Sequence, residues 1–139
     1  MTITELQERV AAALNGSEEL AQGRCKAFAE DKLSINGELE EQLLTAQGIA
    51  LVVVTPTLRR SGVSAQGLPV ETLLSVKCIE KPDLNRAEPG FMTALRAAEI
   101  VAHALDSSTF SFSGIDQVAD DYDRMVVATA TFNCGIILT

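Results

Sequence analysis

The strongest constraint on the fold is a strict alternation of side chains near the carboxyl terminus. From residue 126 to residue 138 every second side chain is apolar. A period of two is that of a β-strand, whose successive side chains point to opposite faces of a sheet. The apolar side chains on one face are Val126, Ala128, Ala130, Phe132, Cys134, Ile136 and Leu138. The other face carries Val127, Thr129, Thr131 and Asn133. We therefore predict a long final strand over residues 124–138 with one face in the core.

Four further segments are predicted to be strands. Residues 49–55 are rich in β-branched side chains without alternation, which is typical of a strand covered on both faces, and Pro56 is expected to end it. Residues 70–80 alternate and are expected to form a hairpin with that strand. Residues 109–115 are expected to form the strand before the final one, and an acidic connection joins these two strands. A short edge strand is predicted within residues 25–29.

Three segments have the spacing and end signals of helices. Thr2 and Glu5 fit a capping box ahead of a helix over residues 3–14. A short helix is predicted over residues 38–46, capped by Asn36. The most regular pattern predicts a helix over residues 91–105. The positions expected on its core face are Phe91, Leu95, Ala98, Val101 or Ala102, and Leu105.

The order of these elements defines the expected fold. With 139 residues, the chain has the length of one domain of the usual ~100–200 residues. Helices are few and strands follow one another through short connections, which favours antiparallel pairing. We predict a single α+β domain over residues 1–139, with a mainly antiparallel or mixed sheet of four to five strands and helices packed on one face. Residues 57–69 have no usable period and are predicted to form a long exposed loop.

The charge balance excludes some classes of partner. The net charge is −8, from 11 basic and 19 acidic side chains. Proteins that bind nucleic acid or anionic membranes need clustered lysine and arginine, so we expect neither partner. The longest apolar run, residues 49–54, is far short of the roughly 20 residues that span a bilayer. Because the first residues are polar and amphipathic rather than signal-like, we expect the protein in the cytoplasm.

Chemistry-bearing residues are few and scattered. Cys25, Cys78 and Cys134 are more than fifty residues apart, which fits no zinc spacing and favours reduced, buried thiols in strands. His103, the only histidine, follows Glu99 by four residues, so an exposed helix pair explains it. The acidic run 116–123 does not match a calcium loop and is expected to be a solvated turn. We therefore expect no enzyme activity, cofactor or metal.

The distribution of charge points to self-association. Residues 1–57 carry 4 basic and 9 acidic side chains, residues 58–90 carry 5 and 4, and residues 91–139 carry 2 and 6. The middle segment, which includes Arg59 and Arg60, thus escapes the acidic bias. A locally basic loop on an acidic body could associate head to tail with other copies, which gives a ring when the rotation closes. Random scatter of charge in a monomer is the alternative interpretation.

The whole pattern resembles the tail-terminator family of long-tailed bacteriophages and prophages, also described as tail-completion or minor tail protein U-like. The resemblance lies in an amphipathic first helix, a strand pair with a long connection, a packed helix and two final strands. It implies a non-enzymatic virion protein that forms a ring, a hexamer in known relatives, which caps the tail tube and joins it to the head connector. The implied contacts with other copies or the tube are Leu58, Arg59, Arg60, Val63 and Leu68.

Two other hypotheses remain open at this stage. The chain could be a small ligand-binding or regulatory module without catalysis. Such a module should have a closed apolar pocket between the helix predicted over residues 91–105 and the sheet. It could also be a small enzyme that uses His103 or the carboxylates of residues 116–123, which would require these groups to lie together in a cleft.

Overall fold

The computed structural model of the chain describes residues 1–30, residue 42 and residues 47–139. The predicted helix over residues 38–46 and its cap Asn36 lie outside the described residues, apart from Gln42. In chain order, the elements are α1 (Ile3–Asn15), α2 (Glu18–Gln22), β1 (Ala27–Ala29), β2 (Ile49–Arg60), β3 (Leu68–Glu80), α3 (Pro82–Asn85), α4 (Ala94–Leu105), β4 (Phe110–Asp120) and β5 (Met125–Leu138).

These strands form one mixed sheet of five strands in the order β1-β2-β3-β5-β4. β1 runs parallel to β2, and the other neighbouring pairs are antiparallel. Helices α1 and α4 bury their apolar sides in one core cluster on one face of the sheet. The predicted fold class is therefore confirmed as a single α+β domain, and β2 and β3 form the predicted hairpin.

The core lies between these two helices and the central strands. Phe132, Leu74 and Val76 project from the sheet and are fully buried, while α4 contributes small side chains such as Ala97 and Ala98. Small side chains allow a close approach of helix to sheet, so dispersion contacts are dense. None of the described helices has the length and apolar character needed to cross a membrane.

The amino-terminal helix follows the prediction closely. The Thr2 hydroxyl accepts a hydrogen bond from the backbone N–H of Glu5 at 3.1 Å and caps α1. The short helix α2 was not predicted, because it buries only Leu20 and thus lacks an apolar stripe. The predicted edge strand is confirmed in a shorter form as β1, which lies at one end of the sheet.

Helix α4 starts later than the pattern predicted. Thr93 caps it by accepting a hydrogen bond from the N–H of Arg96 at 3.1 Å. Phe91 and Leu95, expected in the core, are each 41% exposed. The buried side is formed instead by alanines with Ile100, Val101 and Leu105, because small residues fit where the helix approaches the sheet most closely.

The prediction that Pro56 ends its strand was wrong. β2 continues to Arg60, and its pairing with β3 shifts register between Val54 and Thr57. Proline lacks an N–H to donate to a ladder, and a β-bulge accommodates it because one residue of the bulged strand is left unpaired. The long loop predicted over residues 57–69 is consequently shorter. Only residues 61–67 connect the two strands.

The acidic connection was also predicted with the wrong bounds. β4 continues through Asp116 to Asp120, so the connection to β5 contains only residues 121–124. The side chain of Asp120 accepts hydrogen bonds from the backbone N–H groups of Tyr122 at 2.9 Å and Asp123 at 3.2 Å. These bonds close a tight turn, which explains why the carboxylates cluster here.

Candidate functional site

The residues predicted to make contacts all lie in one projecting hairpin, residues 57–70, which we call the β2–β3 tip. Leu58 pairs with Thr72, which pairs in turn with Cys134. Cys134 is the partner of Phe110, the first residue of β4. From these four aligned residues toward the tip, only β2, β3 and β5 continue. The tip therefore extends past the end of β4.

The β2–β3 tip presents large apolar side chains to solvent. Leu58 is 47% exposed, Leu68 is 42% exposed and Val63, in the connecting loop, is 89% exposed. Single exposed apolar residues are ordinary, but several on one projection are typical of a contact surface. The five residues named from the sequence are thus brought together in the structure.

The two arginines of the tip have different surroundings. Arg59 pairs with Glu71 across the hairpin, so a carboxylate lies on the same face as its guanidinium. Arg60 lies on the opposite face, and its Nε donates a hydrogen bond to the carbonyl of Gly62 at 3.1 Å. The tip is therefore basic, but less so than its two arginines alone suggest.

Backbone contacts fix the shape of the connecting loop. The N–H of Ser61 donates to the carbonyl of Pro69 at 3.0 Å, and Ser64 forms an isolated bridge with Gly67. Gly67 has a φ of +152°, and a Cβ there would meet the carbonyl oxygen of Leu138 at the end of β5. The loop thus rests on β5 as an ordered turn.

A second projecting hairpin lies at the other end of the sheet. It comprises residues 116–124, and we call it the β4–β5 end. Val118 is 60% exposed and Tyr122 is 94% exposed, beside four aspartates of the same hairpin. Sequence reasoning missed this surface because the density of carboxylates suggested a solvated turn. Apolar and polar side chains do not alternate over residues 116–120, so no pattern signalled the strand.

The β4–β5 end is tied to the rest of the domain by an ion pair. Nη2 of Arg124 donates to the Asp83 carboxylate at 2.9 Å. This hydrogen bond is the main cause that lowers the pKa of Asp83 below its usual value. Arg124 is therefore engaged by α3, and its charge does not offset the aspartates of the hairpin.

The groups considered for catalysis lie on different elements. His103 is exposed on α4, whereas the carboxylates of residues 116–123 lie in β4 and its turn into β5. Among the described residues, no three His, Cys, Asp or Glu side chains are grouped to hold a metal.

The three cysteines are free and buried, as predicted. Cys78 and Cys134 lie in strands, but Cys25 precedes β1. Burial raises the pKa of Cys25 to about 12, and it also raises the pKa values of Cys78 and Cys134. A thiol with a raised pKa is a poor nucleophile, since the thiolate is the reactive form.

The interface between α4 and the sheet is filled. Ala94, Ala97 and Val101 of the helix are completely buried, as are Leu74 and Ala130 of the sheet. The pocket that a ligand-binding module would need at this interface is replaced by apolar packing. The depressions of the surface lie elsewhere. They measure about 390 Å³ at the β4–β5 end, about 320 Å³ between α2 and the start of α4, and about 170 Å³ at the tip.

Comparison with known proteins assigns the chain to no family. No protein-family model matches the chain, and no curated protein matches it. Functional inference therefore rests on the chain's own surfaces.

Proposed function

We propose that this chain is a non-enzymatic structural subunit of a phage or prophage tail. Copies assemble into a ring, a hexamer as in the tail-terminator family that the chain resembles. The ring caps the tail tube and joins it to the head connector. Assembly takes place in the host cytoplasm, and the product is part of the virion tail.

The observation that carries this proposal is the β2–β3 tip. Leu58, Val63 and Leu68 project on an ordered hairpin together with Arg59 and Arg60. Exposed apolar side chains next to arginine match the composition of protein–protein contact surfaces, in which arginine is enriched for its planar, multiply donating head. The hairpin also extends past the end of β4, so it reaches a neighbour without movement of the domain.

The filled interface beneath α4 supports a structural role over a ligand-binding module. The buried apolar side chains of the domain pack into a continuous core rather than around a cavity. Its remaining large apolar side chains are at the surface, with Leu58, Val63 and Leu68 at the tip and Val118 and Tyr122 at the β4–β5 end. Surfaces of this kind suit protein partners.

The mass of the purified full chain in solution tests the proposal. We expect light scattering to detect species of several subunits, alone or with the tail-tube protein of the same phage, and electron microscopy to show rings. The variant L58Q/L68Q removes exposed apolar area from the tip, so it should shift the mass toward the monomer at equal concentration.

A matched control removes similar side chains elsewhere. Phe91 and Leu95 are each 41% exposed on and beside α4, and F91Q/L95Q should assemble like the wild type. A wild-type chain that stays monomeric at every concentration, both alone and with the tube protein, would contradict the proposal.

A further inference from the structure

The two projecting hairpins lie at opposite ends of one strand. Leu68, at the tip, starts β3 and pairs with Leu138, whereas Glu80 ends β3 and pairs with Val126, beside the turn into β5. β3 has 13 residues and spans about 40 Å at about 3.3 Å per residue. The β2–β3 tip and the β4–β5 end therefore face in opposite directions along the sheet.

The two ends carry opposite charge. The tip contributes Arg59 and Arg60, with Glu71 across from the first of them. The β4–β5 end contributes four aspartates, and its arginine, Arg124, is held by Asp83. These aspartates are Asp116, Asp120, Asp121 and Asp123. Opposite charges at opposite ends favour head-to-tail approach of identical copies and disfavour tip-to-tip approach.

Both ends also present apolar side chains that association would remove from water. Val118 and Tyr122 are more exposed than any other large apolar residue among the described residues except Val63. Val63 itself lies at the tip. Each end thus combines charged and apolar side chains, as protein contact surfaces commonly do.

Within the described part of the chain, strand edges are open at both ends. β4 is the last strand of the sheet and pairs only with β5 among the described residues. On β2, the pairing with β1 covers Leu51–Val53 and stops well before the tip. Each edge exposes backbone N–H and C=O groups, which can pair with a strand of another chain.

We propose that the β2–β3 tip of one copy docks on the β4–β5 end of the next copy. The occupant of each surface is thus a second copy of this chain, and the contact is heterologous, so repeated contacts give a ring when the rotation closes. This inference rests on the proposed function and adds to it the receiving surface.

Charge reversal on either side tests the contact. R59E/R60E makes the tip acidic, and D116K/D121K/D123K makes the β4–β5 end basic, because three lysines outweigh the remaining Asp120. Asp120 stays in place because its carboxylate closes the turn. Each variant alone places like charges at every contact, so we expect its dissociation constant to rise about tenfold or more.

A mixture of the two variants gives the decisive result. In an equimolar mixture, the acidic tip meets the basic end, and the wild-type tip of one variant meets the wild-type end of the other. Every contact in an alternating ring is then favourable, so we expect light scattering to show assembly restored to near the wild-type level. Circular dichroism melting checks that each variant is folded.

The control E18K/E88K/E99K changes the net charge as D116K/D121K/D123K does, at exposed residues outside both hairpins, and should assemble normally. If the wild type assembles but the mixture stays monomeric, the docking is wrong and the proposed function survives. If the wild type does not assemble alone or with tube protein, both fail. Assembly of either variant alone at the wild-type level would also overturn the docking.

Discussion

The carboxylate of Glu80, the last residue of β3, accepts a hydrogen bond from the backbone N–H of Ala94, the first residue of α4, at 3.2 Å. It also accepts from Nδ2 of Asn85 at 2.7 Å and from Nε of Arg86 at 3.0 Å. The Glu80 side chain is fully buried. One anion thus joins the sheet to the amino terminus of its covering helix, where the helix dipole favours negative charge.

This arrangement predicts a specific loss of stability in acid. Burial alone would raise the pKa of Glu80, but the hydrogen bonds from Arg86, Asn85 and Ala94 outweigh it and lower the pKa below its usual 4.5. A group whose pKa is lowered by folding contributes stability above its unfolded pKa and loses that contribution as the pH falls through the folded value. We therefore expect the free energy of unfolding to decrease as the pH is lowered below about 4.5.

The variant E80Q isolates this contribution. We expect it to lose about 2–4 kcal/mol at pH 7, because a buried charge-assisted network is broken. The difference from the wild type should shrink as the pH falls through the folded pKa of Glu80, where the wild-type carboxyl takes up a proton as well. Urea unfolding followed by circular dichroism measures both values, with exposed E88Q as control. A difference that stays constant with pH would contradict the assignment.

The side chain of Asn15 forms hydrogen bonds with the backbone of β1. Its Nδ2 donates to the carbonyl of Ala27 at 3.0 Å, and its Oδ1 accepts from the N–H of Ala27 at 2.8 Å. We expect N15A to cost about 1–2 kcal/mol, since it leaves partly buried backbone groups without partners. Hydrogen exchange at the Ala27 amide should accelerate, whereas exposed N133A should leave it unchanged. Unchanged protection in N15A would refute this role.

The sequence predicted those elements in which period and burial agree. The alternation of residues 126–138 places Ala128, Ala130, Phe132 and Cys134 on the buried face of β5, as expected. Helix α4 shows where this reasoning fails. Its pattern was anchored on Phe91 and Leu95, but both are 41% exposed, whereas the alanines at the start of the helix are buried against the sheet.

Two local signals were overridden by the sheet. Pro56 should end a strand because it has no N–H to donate, yet a β-bulge at this position allows β2 to continue. The four aspartates of residues 116–123 should favour a turn, yet two of them, Asp116 and Asp120, belong to an edge strand, where one side is solvated. Half of the candidate site, the tip, was therefore found from sequence. The other half became visible only when pairing showed that the hairpins lie at opposite ends.

Gly67 is predicted to be required for the shape of the tip. Its φ of +152° is unfavourable for other residues, and an added Cβ would lie 2.9 Å from Cγ2 of Ile137. We expect G67A to destabilise the domain by about 1–3 kcal/mol and to weaken assembly. Gly62 provides the matched control, because nothing lies within 4 Å of an added Cβ there. Equal thermal stability of G67A and G62A would contradict the prediction.

The buried cysteines predict that thiol reactivity reports unfolding. Burial is the largest cause that raises the pKa of Cys25 to about 12, and its thiol contacts Sδ of Met92 at 3.9 Å. At pH 8 about one such thiol in ten thousand is ionised, and access is blocked as well.

We therefore expect an aromatic disulfide reagent to modify none of the three native thiols quickly at pH 8 and to modify all three in urea. The variant S111C places a thiol at an exposed position of β4 and should react at once in the folded chain. Because modification then requires opening of the core, E80Q should accelerate the reaction of the native thiols in proportion to its lost stability. Fast reaction of any wild-type cysteine in the folded state would show that its surroundings open independently of the core.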